Sequence, residues 1–183
     1  MKTPIPVPEL KPGASFHQRS YPAKEKDMIK IDLPRARRED WKEAMLKKMA
    51  EMLDKYRSLR LYLDICVKCG ACADKCQFFL GTKDPKNMPV ARADLLRKVY
   101  KKYFTLGGKV WGAANEAEDL TEEVLQDWYT YFYQCSECRR CSVYCPYGID
   151  TAEITMAARE IMAVAGIATK YVTEVVAKVY DTG

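Results

Sequence analysis

Apolar and polar positions change rhythm several times along this chain. From residue 1 to about 33, Pro4, Pro6, Pro8, Pro12 and Pro22 alternate with small apolar residues, which predicts an extended, polyproline-like arm. From Pro34 onward, Trp41, Met45, Met49, Met52, Leu53, Tyr56 and Leu63 recur at three- and four-residue spacing with Arg and Lys opposite. That period predicts one long amphipathic helix. After the breaker-rich GTKDPKNMP, a stripe of Leu95, Leu96, Val99, Tyr100 and Tyr103 predicts a helix over 90–104. Another is expected to open at Asp119, paired with Glu122 in a capping box, and to carry Val124, Leu125, Trp128, Tyr129, Phe132 and Tyr133. GGKVWGAAN, between those two, reads as a loop. Asp150 and Glu153 repeat the capping pattern ahead of a helix to about Ala165, Gly166 ends it, and Val172, Val175, Val176 and Val179 stripe a last one. No alternating strand of useful length stands out. The expected fold class is all-α, with an extended arm over 1–33 and a helical domain over 34–183.

Composition narrows the partners. The chain has 183 residues, 48% apolar and 30% charged, with a formal charge of +5, as expected of one soluble globular domain. Its cations scatter among acidic neighbours, so a nucleic-acid partner is not expected. Arg35, Arg37, Arg38, Lys42, Lys47 and Lys48 form a solvated basic face, or alternatively a dock for an acidic partner or anionic headgroups. The best membrane-span candidate, ITMAAREIMAVAGIA, is interrupted by Arg159 and Glu160, far short of roughly 18 uninterrupted apolar residues. No transmembrane segment is therefore expected. MKTPIPVPELKPG lacks an apolar signal core, which makes the cytoplasm the expected compartment. Cysteines there are reduced or metal-bound, so disulfides are a poor reading. The methionines at helical spacing read as core filler in preference to haem or copper ligands. His17 stands far in sequence from the cysteines and from any carboxylate pair, and Gly107-Gly108 lacks the surroundings of a phosphate cradle.

All eight cysteines fall in two matching frames: Cys66, Cys69, Cys72 and Cys76, then Cys135, Cys138, Cys141 and Cys145, the last followed by Pro146. Two-residue intervals let a tight loop offer three thiolates to one cubane. The fourth cysteine, after three intervening residues, starts a helix and in two-cluster ferredoxins ligates the other cluster. This assigns one [4Fe-4S] cluster to Cys66, Cys69, Cys72 and Cys145, and a second to Cys135, Cys138, Cys141 and Cys76. Two four-thiolate zinc sites would also use every cysteine, although zinc ribbons place separated Cys-x2-Cys pairs on opposed loops. Purely structural clusters are a further alternative. Lys68, Lys75, Arg139 and Arg140 place positive charge inside the runs, where it would raise cluster potentials or simply aid solubility.

The long helical connection between the runs resembles the α-helical ferredoxins. CVKCGACADKC, GTKDPKNMPVARADLLRKVY and QCSECRRCSVYCPYGIDTAEITMAAREIM further resemble the amino-terminal region of one particular family. It is the iron-sulfur subunit of the dissimilatory sulfite-reductase-associated membrane complex, related to heterodisulfide reductases. The resemblance runs from about Asp64 onward, and all eight cysteines match the family's ligands. It implies two [4Fe-4S] clusters receiving electrons from a quinol-oxidising, haem-b membrane subunit. They would pass to a cysteine-rich catalytic domain that reduces a disulfide or trisulfide on a small sulfur-carrier protein. It also implies a position on the cytoplasmic face of the membrane. No CCG-type motif of that catalytic domain is present here, so the chain is expected to be part of a longer subunit or the partner of a separate catalytic chain. A diffusing two-cluster ferredoxin and a zinc-stabilised interaction module are the competing readings.

Overall fold

The structure, a computed structural model, describes residues 23–182. They form ten α-helices: α1 (Glu25–Lys30), α2 (Trp41–Lys55), α3 (Arg57–Ile65), α4 (Gln77–Thr82), α5 (Pro89–Phe104), α6 (Leu106–Trp111), α7 (Glu122–Gln134), α8 (Arg140–Val143), α9 (Thr151–Val164) and α10 (Lys170–Thr182). Short 3-10 turns at Ala73–Lys75, Pro85–Asn87 and Gly112–Asn115 complete the order, and no strand occurs among the described residues. The fold is all-α, as expected. The expectations for residues 1–22, including His17 and the docking arm, lie outside the described residues. Within 23–33 the predicted extension is interrupted, because EKDMIK closes α1 and buries Met28.

Helix α9 is the centre of the domain. Its sequence, TAEITMAAREIMAV, is apolar almost all round, and Ala152, Ile154, Ala157, Ala158, Ile161 and Met162 are buried against α2, α3, α5 and α7. Its alanines let neighbouring helices approach closely. Met45, Met49, Met52, Leu63, Leu96, Val99, Trp128 and Phe132 fill the shared core, so the helical-period methionines are indeed packing residues. Each fully buried Leu, Ile, Met or Phe contributes roughly 1.5–3 kcal/mol.

Four local expectations change. The long helix from Pro34 begins only at Trp41 and breaks at Tyr56 (φ −110°, ψ 95°), which lets α3 turn away from α2 toward the first cysteine run. GGKVWGAAN is not a loop, because Thr105 caps α6 by accepting a hydrogen bond from the Gly108 N–H at 3.1 Å. Gly108 fits there because a Cβ would lie 1.9 Å from the Lys101 carbonyl oxygen. Helix α7 is capped by Thr121, which accepts from the Val124 N–H, while Asp119 instead pairs with Lys42 and accepts from the Tyr103 hydroxyl. At Asp150 the expected cap is present, accepting from the N–H groups of Ala152 and Glu153; Glu153 itself accepts from Ser58 at 2.5 Å. The basic face near α2 is also less bare than expected, since Arg37 pairs with Glu122, Lys42 with Asp119 and Lys48 with Glu51 and Glu160.

The valine stripe of α10 faces outward. Thr173 and Ala177 are buried, whereas Val172, Val175, Val176 and Val179 are 40–62% exposed. Val175→Glu is therefore expected to change the thermal stability of this chain by less than about 0.5 kcal/mol. A loss above about 2 kcal/mol in a melting experiment would show that the face is packed.

Candidate metal centre

The two cysteine runs fold into the same local shape. Each follows a helix, α3 or α7, whose next residue is the first cysteine in an extended conformation: Cys66 at φ −68°, ψ 112° and Cys135 at φ −71°, ψ 129°. Two residues later the backbone turns left-handed, at Lys68 (φ 57°) and Glu137 (φ 54°), and it does so again after the second cysteine, at Gly70 (φ 79°) and Arg139 (φ 58°). This repeated reversal coils each run into a tight loop, with a cost of roughly 1–2 kcal/mol at each non-glycine left-handed residue.

Cysteines from both runs meet in one place. A small cavity, of about 30 Å³, is lined by Cys66, Cys69, Cys72, Cys141 and Cys145, with Val67, Val90, Ala93, Pro146, Tyr147 and Ile149 supplying apolar walls. Two cysteines of the second run, Cys141 and Cys145, thus line the same cavity as the first three of the first run. Cys76, at the start of α4, is buried, and its thiol lies 3.6 Å from the Asn87 carbonyl oxygen. Cys141 lies within electrostatic reach of Cys135 and Cys76, and Cys72 within reach of Cys66 and Cys141. Cys69 and Cys138 are exposed. Thiols spaced around a volume with apolar walls fit a cubane cluster, whose sulfur ligands surround several irons and do not converge on one ion. Among the described residues, no three Cys, His, Asp or Glu side chains are gathered as a single-ion site would require.

The thiol of the third cysteine of each run meets the first turn of a long inner helix. Burial pushes the Cys72 thiol up to about 11, and a hydrogen bond from the Val90 backbone, in the first turn of α5, acts against that rise. Burial also raises Cys141, opposed by hydrogen bonds with Thr151, the first residue of α9, and with Ser142. Metal binding at these positions would release the thiol protons, and the positive ends of α5 and α9 favour an anionic group there.

The cations picked out inside the runs are mostly neutralised. Lys68 pairs with Asp94 and Glu116 at 3.0 and 2.7 Å, Lys75 with Asp74 at 2.8 Å, and Arg139 with Asp150 at 3.4 Å. Lys68 and Lys101 hold the Glu116 carboxyl down at about 2. Sequence reasoning instead missed the buried arginines behind the loops. Arg92 is 1% exposed and donates to the Tyr131 carbonyl at 2.9 Å and to the Asn87 carbonyl at 3.1 Å, the same oxygen that faces the Cys76 thiol. A buried charge needs partners, and these carbonyls supply them. The available signal was an arginine inside an apolar helical stripe.

Residues 62–149 match the family model described as a 4Fe-4S dicluster domain. This region is a 4Fe-4S dicluster domain. Similarity extends well outside it. The dicluster domain and its flanks are 52% identical over 149 residues to Hdr-like menaquinol oxidoreductase iron-sulfur subunit 2 of Archaeoglobus fulgidus, covering 81% of this chain and 26% of that protein. Identity to the Hdr-like menaquinol oxidoreductase iron-sulfur subunit of Archaeoglobus profundus is 48% over 157 residues, covering 85% of this chain and 28% of that one. A more distant relative is a subunit of the dihydromethanophenazine:CoB--CoM heterodisulfide reductase of Methanosarcina barkeri, 29% identical over 106 residues, covering 57% of this chain and 25% of its own length. The chain carrying the dicluster domain thus spans about a quarter of the length of these curated relatives. No solved structure matches it significantly. No helix among the described residues is long and apolar enough to cross a membrane.

Proposed function

We propose that this chain transfers electrons through two [4Fe-4S] clusters within a membrane-associated, heterodisulfide-reductase-like complex. Electrons would come from a haem-b membrane subunit that oxidises quinol, on the cytoplasmic face. They would pass to a cysteine-rich catalytic domain that reduces a disulfide or trisulfide on a small sulfur-carrier protein. The sulfite-reductase-associated setting belongs to this proposal and rests on the sequence resemblance. The menaquinol named in two relatives supports the quinol side, and the heterodisulfide named in the third supports the acceptor side.

The observation that carries the reading is the cavity that Cys66, Cys69 and Cys72 share with Cys145 and Cys141 of the second run. Held in such thiols, a [4Fe-4S] cluster supplies reversible one-electron chemistry. The chain's own residues support a relay. Cys72 and Cys141 approach each other between the two loops, while Cys69 and Cys138 offer an exposed edge on each. Around those edges Val67, Val143, Tyr144 and Tyr147 are exposed apolar side chains suited to partner contact. Cys76, by contrast, is sealed in by the Arg92 and Asn87 network.

Affinity purification of the tagged chain from membranes of its own cell tests this reading. Haem b is expected to co-purify, and menaquinol is expected to bleach the visible iron-sulfur absorbance. Recovery of a free, haem-less monomer that cycles without membranes would establish a diffusing ferredoxin. A colourless protein with stoichiometric zinc would overturn both.

A further inference from the structure

The repeat in the cysteines has a counterpart in two arginines. Arg97 and Arg159 are each the ninth residue of their helix, counting from Pro89 in α5 and from Thr151 in α9. Arg97 Nε donates to the Leu63 carbonyl at 2.7 Å; Arg159 Nε donates to the Phe132 carbonyl at 3.1 Å. Leu63 stands three residues before Cys66 and Phe132 three before Cys135, so the two contacts are equivalent. Each guanidinium is also linked to the left-handed residue of its loop, one directly and one through a carboxylate. Arg97 pairs with Asp94, whose other oxygen holds Lys68 Nζ at 3.0 Å. Arg159 lies directly on Glu137, with Nη1 2.7 Å from Oε1, and its Nη2 donates to the Cys135 carbonyl at 2.5 Å. The backbone N–H of Glu137 in turn donates to the Cys135 sulfur at 3.4 Å.

We infer that Arg97 and Arg159 are paired positioning residues, each setting one cysteine loop and tuning the centre that loop holds. This rests on the two-cluster reading. Both side chains are largely withdrawn from water, at 4% and 17% exposure, so their charges are weakly screened. Each joins a helix end to its loop by a planar fork that lysine cannot reproduce. Partners outside the ligand set orient the ligands and tune the metal in this way, and hydrogen bonds to cluster sulfurs together with local charge move reduction potentials. Arg159 acts on both counts, because it pins the residue whose N–H meets Cys135. Arg97 reaches its loop through Asp94 and Lys68, a longer linkage, so its influence is the weaker of the two.

The test is an EPR-monitored redox titration of the anaerobically reconstituted chain, with iron release to a chelator followed in parallel. In Arg159→Gln, the signal of the second-run centre is expected to move to lower potential and its iron to be lost about ten-fold faster, while the other signal holds. In Arg97→Gln, the first-run centre is expected to respond instead, to a smaller extent. Lysine at either position keeps the charge without the fork and is expected to give an intermediate shift. Should a glutamine variant fail to fold, Glu137→Gln and Asp94→Asn remove the linking carboxylates and are expected to give the same selectivity in milder form. Variants that move both signals alike, or neither, overturn the inference while the two-cluster reading stands. A single signal in the unaltered chain overturns both.

Discussion

Serine in place of Cys145 is expected to abolish the centre built on the first cysteine run, more than seventy residues away, and to spare the one built on its own run. The reason is geometric. Cys145 and Cys141 both line the cavity of Cys66, Cys69 and Cys72, but it is from Cys145 that Pro146 and Tyr147 continue the wall. Its backbone is fixed from both sides, with its N–H on the Ser142 carbonyl at 3.2 Å and its own carbonyl accepting from Gly148 at 3.1 Å. Helix α9, capped by Asp150, then leads the chain away. The EPR signal lost in Cys145→Ser should be the one lost in Cys69→Ser, and that lost in Cys76→Ser the one lost in Cys138→Ser. Iron content should fall by about half in each case. Were Cys145→Ser to match Cys138→Ser, each run would close its own cluster and the crossed assignment would be wrong.

Gly166→Ala carries the largest expected loss of stability. Gly166 lies between α9 and α10 at φ +79°, a left-handed conformation that costs an L side chain roughly 1–2 kcal/mol. A Cβ there would also stand 2.2 Å from the Ala36 carbonyl oxygen, where the 34–40 segment crosses the end of α9 and Arg38 bonds the Ala165 carbonyl at 3.0 Å. Backbone overlap of that kind adds roughly 1–3 kcal/mol. The sum, about 3 kcal/mol, corresponds to a melting temperature lowered by about 10 °C for a domain of this size. Gly148→Ala makes the comparison, since Gly148 is also left-handed at φ +67° but has nothing within 4 Å of its would-be Cβ. It is expected to lose only about 1 kcal/mol. Equal losses in the two variants would remove the clash from the account.

Much of the frame was legible in the sequence because it depends on short-range rules. Cysteine spacing defines a loop, methionines at helical period define a buried stripe, and Asp150 two residues before the Ala152 N–H defines a cap. What escaped depends on tertiary contact. Tyr56 breaks a helix with no proline or glycine to announce it, because the chain must turn there to deliver Cys66. Asp119 has the right spacing for a cap, yet Lys42 and Tyr103 claim its carboxylate and Thr121 takes the role. The cations within the runs suggested bare positive charge, but carboxylates distant in sequence, such as Glu116 on Lys68, meet them. The valines of α10 stripe a helix as predicted, yet that stripe stands outside, since a stripe reports that a helix is amphipathic without reporting what covers it.

Most direct of all is a count of iron and acid-labile sulfide in the anaerobically reconstituted chain, joined to a redox titration. Two crossed [4Fe-4S] centres predict about eight irons and eight sulfides per chain, with two separable EPR signals on reduction. About four irons with a single signal, or zinc without visible absorbance, would contradict that account.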